Sequence, residues 1–153
     1  MTDDAARMVE VGAKDVTARE AVAEVEVRMS PRAVRYLVAG TPKGDALEAA
    51  RVAGLLAAKR TPELLPFCHP VSLTGAEVAV QPEEEAGRVR IRATVRALDR
   101  TGVEMEALTA CAVAALSLYD VAKAVERGAV IGDLRLVEKR GGKSGDYAQP
   151  PQG

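Results

Sequence analysis

The longest apolar stretch of the sequence constrains the fold most, because its pattern predicts a helix that has no polar face. Residues Thr101 to Arg127 have helical character, and the middle of this segment, ALTACAVAALSLY, is apolar or small on every side. Such a helix is buried all round. One small sheet covers only one side of it. We therefore predict that the helix packs on its own sheet and also on a neighbouring subunit.

Hydrophobic periodicity predicts the other elements of the fold. Alternating or apolar runs predict strands at Val16–Met29, Val71–Val80, Arg88–Leu98 and Val130–Val137. Two shorter helices are expected to begin at Ser30-Pro31 and at Asp45 and to end at Gly40 and near Thr61-Pro62. The order βααββαβ predicts an α+β fold, a ferredoxin-like sandwich with a four-stranded antiparallel sheet, helices on one face and one extra helix. We expect a single domain over residues 1–153, with flexible ends at about 1–10 and 141–153.

Composition narrows the class of protein. The formal net charge is −1, which gives little electrostatic support for binding nucleic acid or an anionic membrane. The acidic beginning of the chain lacks an apolar signal core, and the two cysteines, Cys68 and Cys111, form no C-x-x-C pair. These features favour a cytoplasmic protein.

Two lysine-containing turns are candidate phosphate sites. Lys43 precedes Asp45, where a helix N-terminus offers free N–H groups, although a solvated lysine beside an ordinary N-cap explains the same pattern. The segment GGKSGD contains Lys143, but neither the glycine spacing nor a following helix of a phosphate-binding loop is present. It remains either a lid over an anion or a frayed tail.

Charged residues on the long helix are further candidates for catalytic or substrate-binding roles. Asp120 and Lys123 are three positions apart and share a helix face. They could exchange a proton as acid and base, or they could form an ordinary surface ion pair. Thr101-Gly102-Val103-Glu104 matches a capping box, which gives Glu104 a structural role. Glu106 has no such role, and its carboxylate could accept two N–H donors of a guanine-like base.

The histidine and the cysteines predict no metal site. His69, in the apolar sequence FCHP, fits a hydrogen-bonded structural residue, and Cys68 fits a packed side chain. One histidine and two separated cysteines do not make a zinc set, so we expect no bound metal. Magnesium accompanying a triphosphate stays possible.

Three spaced motifs together closely resemble the cyclic pyranopterin monophosphate synthase family. They are KGDALEAARVAGLLAAKRTPELLPFCHP, RTGVEMEALTACAVAALSLYDVAKAV and GGKSGD, and the similarity extends from about Met8 to Tyr147. The resemblance implies a ferredoxin-like subunit in a homohexamer, a trimer of dimers with active sites at subunit interfaces. It also implies conversion of (8S)-3′,8-cyclo-7,8-dihydroguanosine 5′-triphosphate to cyclic pyranopterin monophosphate and diphosphate, a lyase reaction in molybdenum cofactor biosynthesis without a redox cofactor.

The same resemblance assigns roles to individual residues. It implies catalytic roles for Asp120 and Lys123, and we predict that Lys43 and Lys139 are catalytic with them. The substrate-contacting segments of the family fall on Phe67, Cys68 and His69 and on Met105 and Glu106. We add the neighbouring Glu104 as a substrate-binding candidate. The other conspicuous lysines of the family fall on Lys43, Lys59 and Lys139, to which Lys143 is added as a candidate. Phe67 departs from the aliphatic residue that is more usual in the family.

Two other classes of function compete with this interpretation. A nucleotide-binding module of the same fold would bind the ligand without turnover. A ferredoxin-like RNA-binding domain would need exposed aromatic side chains on its strands, and the predicted strands have none.

Overall fold

A five-stranded antiparallel sheet organises the chain in the computed structural model, which describes residues 4–142 and 145–150. The elements are β1 (Thr17–Arg28), α1 (Pro31–Ala39), α2 (Ala46–Leu64), β2 (Leu73–Glu83), β3 (Arg88–Asp99), α3 (Glu104–Ala122), β4 (Val130–Arg140) and β5 (Tyr147–Ala148). The strands lie in the order β2-β3-β1-β4-β5. This order confirms the ferredoxin-like sandwich and the predicted sequence of elements. The short β5, which pairs with Glu138 and Lys139, is an addition.

The central strand β1 separates an apolar face of the sheet from a charged one. Ala21, Ala23, Val25 and Val27 are buried on the helix side, opposite the alternating apolar residues of β3. The other face bears arginine and glutamate side chains, such as Arg92 and Glu24, that pair across the strands. The period-two pattern in the sequence therefore fixes which face the helices cover.

Helices α2 and α3 cover the apolar face and run antiparallel to each other. The beginning of α2 follows Lys43, which contacts the end of α3 at Asp120. The chain after α2 reaches Cys68, which contacts the beginning of α3 at Glu106. The two helices approach closely at Gly54, where a Cβ atom would lie 3.1 Å from the carbonyl oxygen of Ala110 and 3.0 Å from Val78.

The turn between β2 and β3 requires glycine. Gly87 adopts a φ of +68°, and its carbonyl accepts a hydrogen bond from the backbone N–H of Met29 at 2.9 Å. A Cβ at this position would lie 2.6 Å from the Met29 carbonyl oxygen. The turn therefore connects the hairpin to the end of β1 as well as reversing the chain.

The first two helices begin where their capping signals predict. The Ser30 hydroxyl accepts a hydrogen bond from the N–H of Ala33, and the Asp45 carboxylate accepts one from Glu48. The predicted end of α2 near Thr61-Pro62 is two residues too early, because the helix continues to Leu64. Its last turn is closed by the Leu65 N–H, which donates to the Thr61 carbonyl at 3.0 Å.

The predicted capping box at the start of α3 is also wrong. The helix begins at Glu104 rather than Thr101, Val103 occupies the N-cap, and no side chain caps it. The Glu104 side chain is therefore not used to close the helix end and lies near Lys139 instead. The helix ends at Ala122, five residues before the predicted Arg127.

One side of α3 faces away from the rest of the chain. Ala110, Ala114 and Leu118 are fully buried, whereas Met105 and Leu116 are exposed. Among the described residues, α3 is the one helix long and apolar enough to cross a membrane by length and composition, and half of it is buried within the structure. A core helix passes the same test. The exposed side is the surface for which the sequence predicts a neighbouring subunit.

Replacing Gly54 by Leu should separate α2 from α3 and destabilise the fold. The added side chain has no space against Val78 and Ala110, so we expect a loss of about 1–3 kcal/mol in the free energy of unfolding. Urea unfolding followed by circular dichroism measures this loss. Ala49→Leu on the exposed side of α2 is the matched control and should change stability by less than about 0.5 kcal/mol. Equal effects of the two substitutions would contradict the close approach at Gly54.

Candidate active site

Three charged side chains meet where α3 ends, and we call them the lysine–aspartate cluster: Lys43, Asp120 and Lys123. The Asp120 carboxylate is 2.8 Å from the Lys123 ammonium and 3.0 Å from that of Lys43. Lys43 also donates to the backbone carbonyl of Asp120 at 3.4 Å. Lys123 reaches Asp120 because the two residues are three positions apart at the end of the helix. Lys43 reaches Asp120 from the turn at Thr41–Gly44 before α2.

The lysine–aspartate cluster is open to solvent in the single chain. The side chains of Lys43, Asp120 and Lys123 are 56%, 55% and 50% exposed. Asp120 and Lys123 follow the apolar stretch that was predicted to be buried all round, and both are exposed in the chain alone because they lie toward the side of α3 that the chain leaves uncovered. Hydrogen bonds from Lys123 and then Lys43 lower the pKa of Asp120 below its ordinary value.

A second group lies where α3 begins, and we call it the glutamate cluster: Cys68, Glu104, Glu106 and Lys139. The Lys139 ammonium, near the end of β4, is 3.8 Å from Glu104. The Cys68 thiol, in the loop after α2, donates to Glu106 at a sulfur–oxygen distance of 3.6 Å. Lys139 reaches this place because it pairs with Ala21 and shares the helix-side face of the sheet.

Burial dominates the electrostatics of the glutamate cluster. Glu106 is only 2% exposed, and this desolvation raises the pKa of its carboxyl group. Its Oε1 has no hydrogen-bond partner among the described residues, and neither does Oε1 of Glu104. A buried carboxylate oxygen without a hydrogen-bond donor lowers the stability of the ligand-free protein, and it can accept a hydrogen bond from an N–H group of a ligand.

The two clusters are far apart within one chain. Asp120 lies sixteen positions after Glu104 on the same helix, which corresponds to about 24 Å along its axis. The structure thus brings Lys43 to Asp120 and Lys139 to Glu104, but it does not bring the four predicted catalytic residues into one place. A single site containing all of them requires a second copy of the chain.

The remaining predicted residues lie nearer the glutamate cluster. Phe67 is exposed next to Cys68, and Met105 is exposed between Glu104 and Glu106. His69 lines a depression of about 480 Å³ together with Thr101 and the segment from Met8 to Gly12. Lys59 is exposed in the second half of α2. Lys143 lies outside the described residues.

Arg19 is a buried cation that the sequence analysis missed. It is 8% exposed, and its Nη2 donates to the Arg100 carbonyl at 3.1 Å, while its Nε has no partner among the described residues. A Cβ at Gly142 would collide with the guanidinium. The alternation in the sequence of β1 could have revealed it, because Arg19 lies on the same buried face as Ala21 and Ala23. A charge at such a position belongs among the candidate site residues.

A metal site has no support in the side-chain arrangement. Within residues 4–142 and 145–150, no group of three or more histidine, cysteine, aspartate or glutamate side chains could hold an ion.

Replacing Lys123 by Met should raise the pKa of Asp120 more than replacing Lys43 does, because the Lys123 hydrogen bond lowers it most. Carboxyl carbon shifts in an NMR titration report this value directly. The lowered pKa stabilises the fold above the ordinary aspartate range, and this contribution is lost as the pH falls through the folded-state value. Lys59→Met, toward the other end of α2, is the control and should leave the titration unchanged. A larger effect of Lys43→Met would contradict the geometry.

Comparison with known proteins identifies the family of the chain. The sequence matches the MoaC family over residues 8–142. It is similar to the cyclic pyranopterin monophosphate synthase of Pelotomaculum thermopropionicum, with 58% identity over 143 residues, 93% of this chain and 84% of that protein. The protein of the same name from Roseiflexus sp. (strain RS-1) is 57% identical over 143 residues, covering 93% and 90%. That of Streptomyces coelicolor is 56% identical over 146 residues, covering 95% and 85%. The chain therefore belongs to the MoaC family.

Proposed function

We propose that this protein is a cyclic pyranopterin monophosphate synthase of molybdenum cofactor biosynthesis. In the proposed reaction, (8S)-3′,8-cyclo-7,8-dihydroguanosine 5′-triphosphate rearranges to cyclic pyranopterin monophosphate and releases diphosphate. The observation that supports this most strongly is identity above one half, over more than nine-tenths of the chain, to proteins of that name. The two charged clusters supply the polar groups that such a reaction needs.

The lysine–aspartate cluster is suited to proton transfer. Opening of the imidazole-derived ring requires a proton donor and an acceptor, and Lys123 and Asp120 are within hydrogen-bond distance of each other. Two ammonium groups keep the Asp120 carboxylate ionised, so that proton donation falls to a lysine. The cluster also offers positive charge to the phosphates while a ribose hydroxyl attacks the α-phosphate and diphosphate leaves.

The glutamate cluster is suited to recognition of the base. A guanine-like ring has neighbouring N–H donors, and Oε1 of Glu106 is a buried acceptor without a hydrogen-bond partner among the described residues. Glu104, whose Oε1 lies 3.8 Å from the Lys139 ammonium, adds a second carboxylate beside it. Met105, between them, offers an apolar contact to the ring. Lys139, which is paired with Glu104, and the exposed Lys59 would add positive charge near the phosphate groups.

A homo-oligomer would unite the two clusters. The substrate base is tied back to its ribose, so the molecule is more compact than the separation of about 24 Å along α3. If the exposed sides of two α3 helices pack antiparallel about a twofold axis, the beginning of each helix meets the end of the other. This arrangement makes two composite sites per dimer. It agrees with the homohexamer, a trimer of dimers, that the family resemblance implies.

The proposal includes a reaction class and a cellular location. The cyclisation is of the phosphorus–oxygen lyase type and uses no redox cofactor, since the proposed steps are proton transfers and a phosphoryl transfer. Assays with and without magnesium decide whether an ion accompanies the triphosphate. We propose a cytoplasmic enzyme that acts on a small molecule, without nucleic acid or membrane partners.

Incubation with the cyclised guanosine triphosphate should yield the pterin product and diphosphate in equal amounts. Lys123→Ala and Asp120→Asn should lower kcat at least about 100-fold, because each removes a proton-transfer group. Lys14→Ala, at an exposed lysine in the turn before β1, is the control and should retain normal turnover. Chromatographic detection of the pterin and a coupled diphosphate assay measure the two products. Near-normal turnover of Asp120→Asn would contradict its assigned role.

The same assay separates the proposal from its main rival. A folded wild-type protein that binds the substrate without forming product would be a nucleotide-binding module. The charged face of the sheet gives no support to an RNA-binding alternative, because arginine and glutamate side chains pair there and no strand from β1 to β4 contains an aromatic residue.

A further inference from the structure

The contact between Cys68 and Glu106 leaves the carboxylate in an asymmetric environment. Glu106 Oε2 accepts a hydrogen bond from the Cys68 thiol at 3.6 Å, whereas Oε1 has no partner among the described residues. The side chain is almost completely buried. One oxygen is therefore held by the protein, and the other is an available acceptor.

The thiol is suited to donating this hydrogen bond and unsuited to acting as a nucleophile. Burial, together with the charges of Glu106 and Glu104, raises the pKa of Cys68 to about 11. The sulfur therefore keeps its proton at neutral pH and donates a hydrogen bond to the carboxylate at 3.6 Å, which is closer than its other acceptor, the His69 carbonyl at 3.8 Å. A thiol is a weak donor, so it can orient Glu106 without using up the acceptor strength of the carboxylate.

We propose that Cys68 is a positioning residue, whose thiol orients Glu106 so that the free carboxylate oxygen faces the N–H donors of a guanine-like base. This inference rests on the proposed function, because it concerns how the same site recognises its substrate. It differs from the family expectation that Cys68 itself contacts the substrate. The thiol acts through Glu106 and forms no bond to the ligand.

Ligand binding tests the proposal without relying on turnover. Guanosine triphosphate has the ring N–H and the exocyclic amino group that Glu106 would bind, whereas inosine triphosphate lacks the amino group. Calorimetry should show that the wild type prefers guanosine triphosphate. Cys68→Ala should weaken guanosine triphosphate binding about three- to tenfold and reduce this preference, with a smaller effect on inosine triphosphate, which retains only the ring N–H.

Two variants separate positioning from packing. Cys68→Ser retains a donor and should keep most of the preference for guanosine triphosphate. Cys111→Ala removes the second thiol, which is buried in the hydrophobic core and makes no hydrogen bond to Glu106, and should leave both affinities unchanged. Loss of the preference in Cys111→Ala, its survival in Cys68→Ala, or its absence from the wild type would each overturn the proposal.

Alkylation of the thiol tests the contact itself, whether or not the protein has synthase activity. The charge of Glu106 raises the pKa of Cys68, so Glu106→Gln should lower this pKa and accelerate reaction with iodoacetamide at about pH 9. The fraction of reactive thiolate at this pH rises about tenfold for each unit by which the pKa falls, and a lower nucleophilicity of the thiolate offsets only part of this gain. Cys111 should react at the same slow rate in both proteins. An unchanged Cys68 rate in Glu106→Gln would show that the two groups are not coupled and would overturn the inference.

Discussion

The fixed length of helix α3 is the constraint on which the rest of the site depends. An α-helix does not shorten, so Glu104 and Asp120 stay about 24 Å apart in every conformation of one chain. Helix α3 packs on β1 and beside α2, which runs antiparallel to it. Lys43 before α2 and Cys68 after α2 therefore contact opposite ends of α3. Chemistry that needs both clusters is therefore linked to assembly.

The burial of Glu106 in the glutamate cluster lowers the stability of the ligand-free protein and leaves one carboxylate oxygen able to accept a hydrogen bond from a ligand. A carboxylate as buried as Glu106, with one oxygen unpaired, destabilises the free protein relative to a neutral side chain. The lysine–aspartate cluster differs, because its charges are paired and exposed and their contribution to folding is small. The unpaired groups at the beginning of α3 are therefore more informative about ligand binding than the ion pairs at its end.

Much of the fold could be predicted from local sequence patterns. Alternation located the four main strands, and the side chains of Ser30 and Asp45 marked two helix starts. The errors have local physical causes. Pro62 lacks an N–H, yet α2 continues past it and closes its last turn at Leu65. Thr101 matched a capping motif, but the chain enters α3 through Val103. Short β5 depends on a tertiary return of the chain that no local pattern encodes.

The site was predictable in part. The spacing of Asp120 and Lys123 placed them on one helix face, and the structure agrees. Their contact with Lys43 depends on how α2 packs beside α3, which spacing cannot reveal. The apolar pattern predicted complete burial of α3, although the chain alone covers only one side of it. Arg19 could have been found, since its register on the buried face of β1 is visible in the sequence.

Complementation between inactive subunits tests the composite site most directly. Lys123→Ala removes a group at the end of α3, and Glu106→Gln removes one at its beginning. If sites form between subunits, co-refolding equal amounts of the two inactive variants should restore about a quarter of the sites, because those sites combine two intact halves. Mixing Lys123→Ala with Asp120→Asn, both altered in the same cluster, should restore none. Absence of activity in the first mixture, with every variant folded and assembled, would contradict the account.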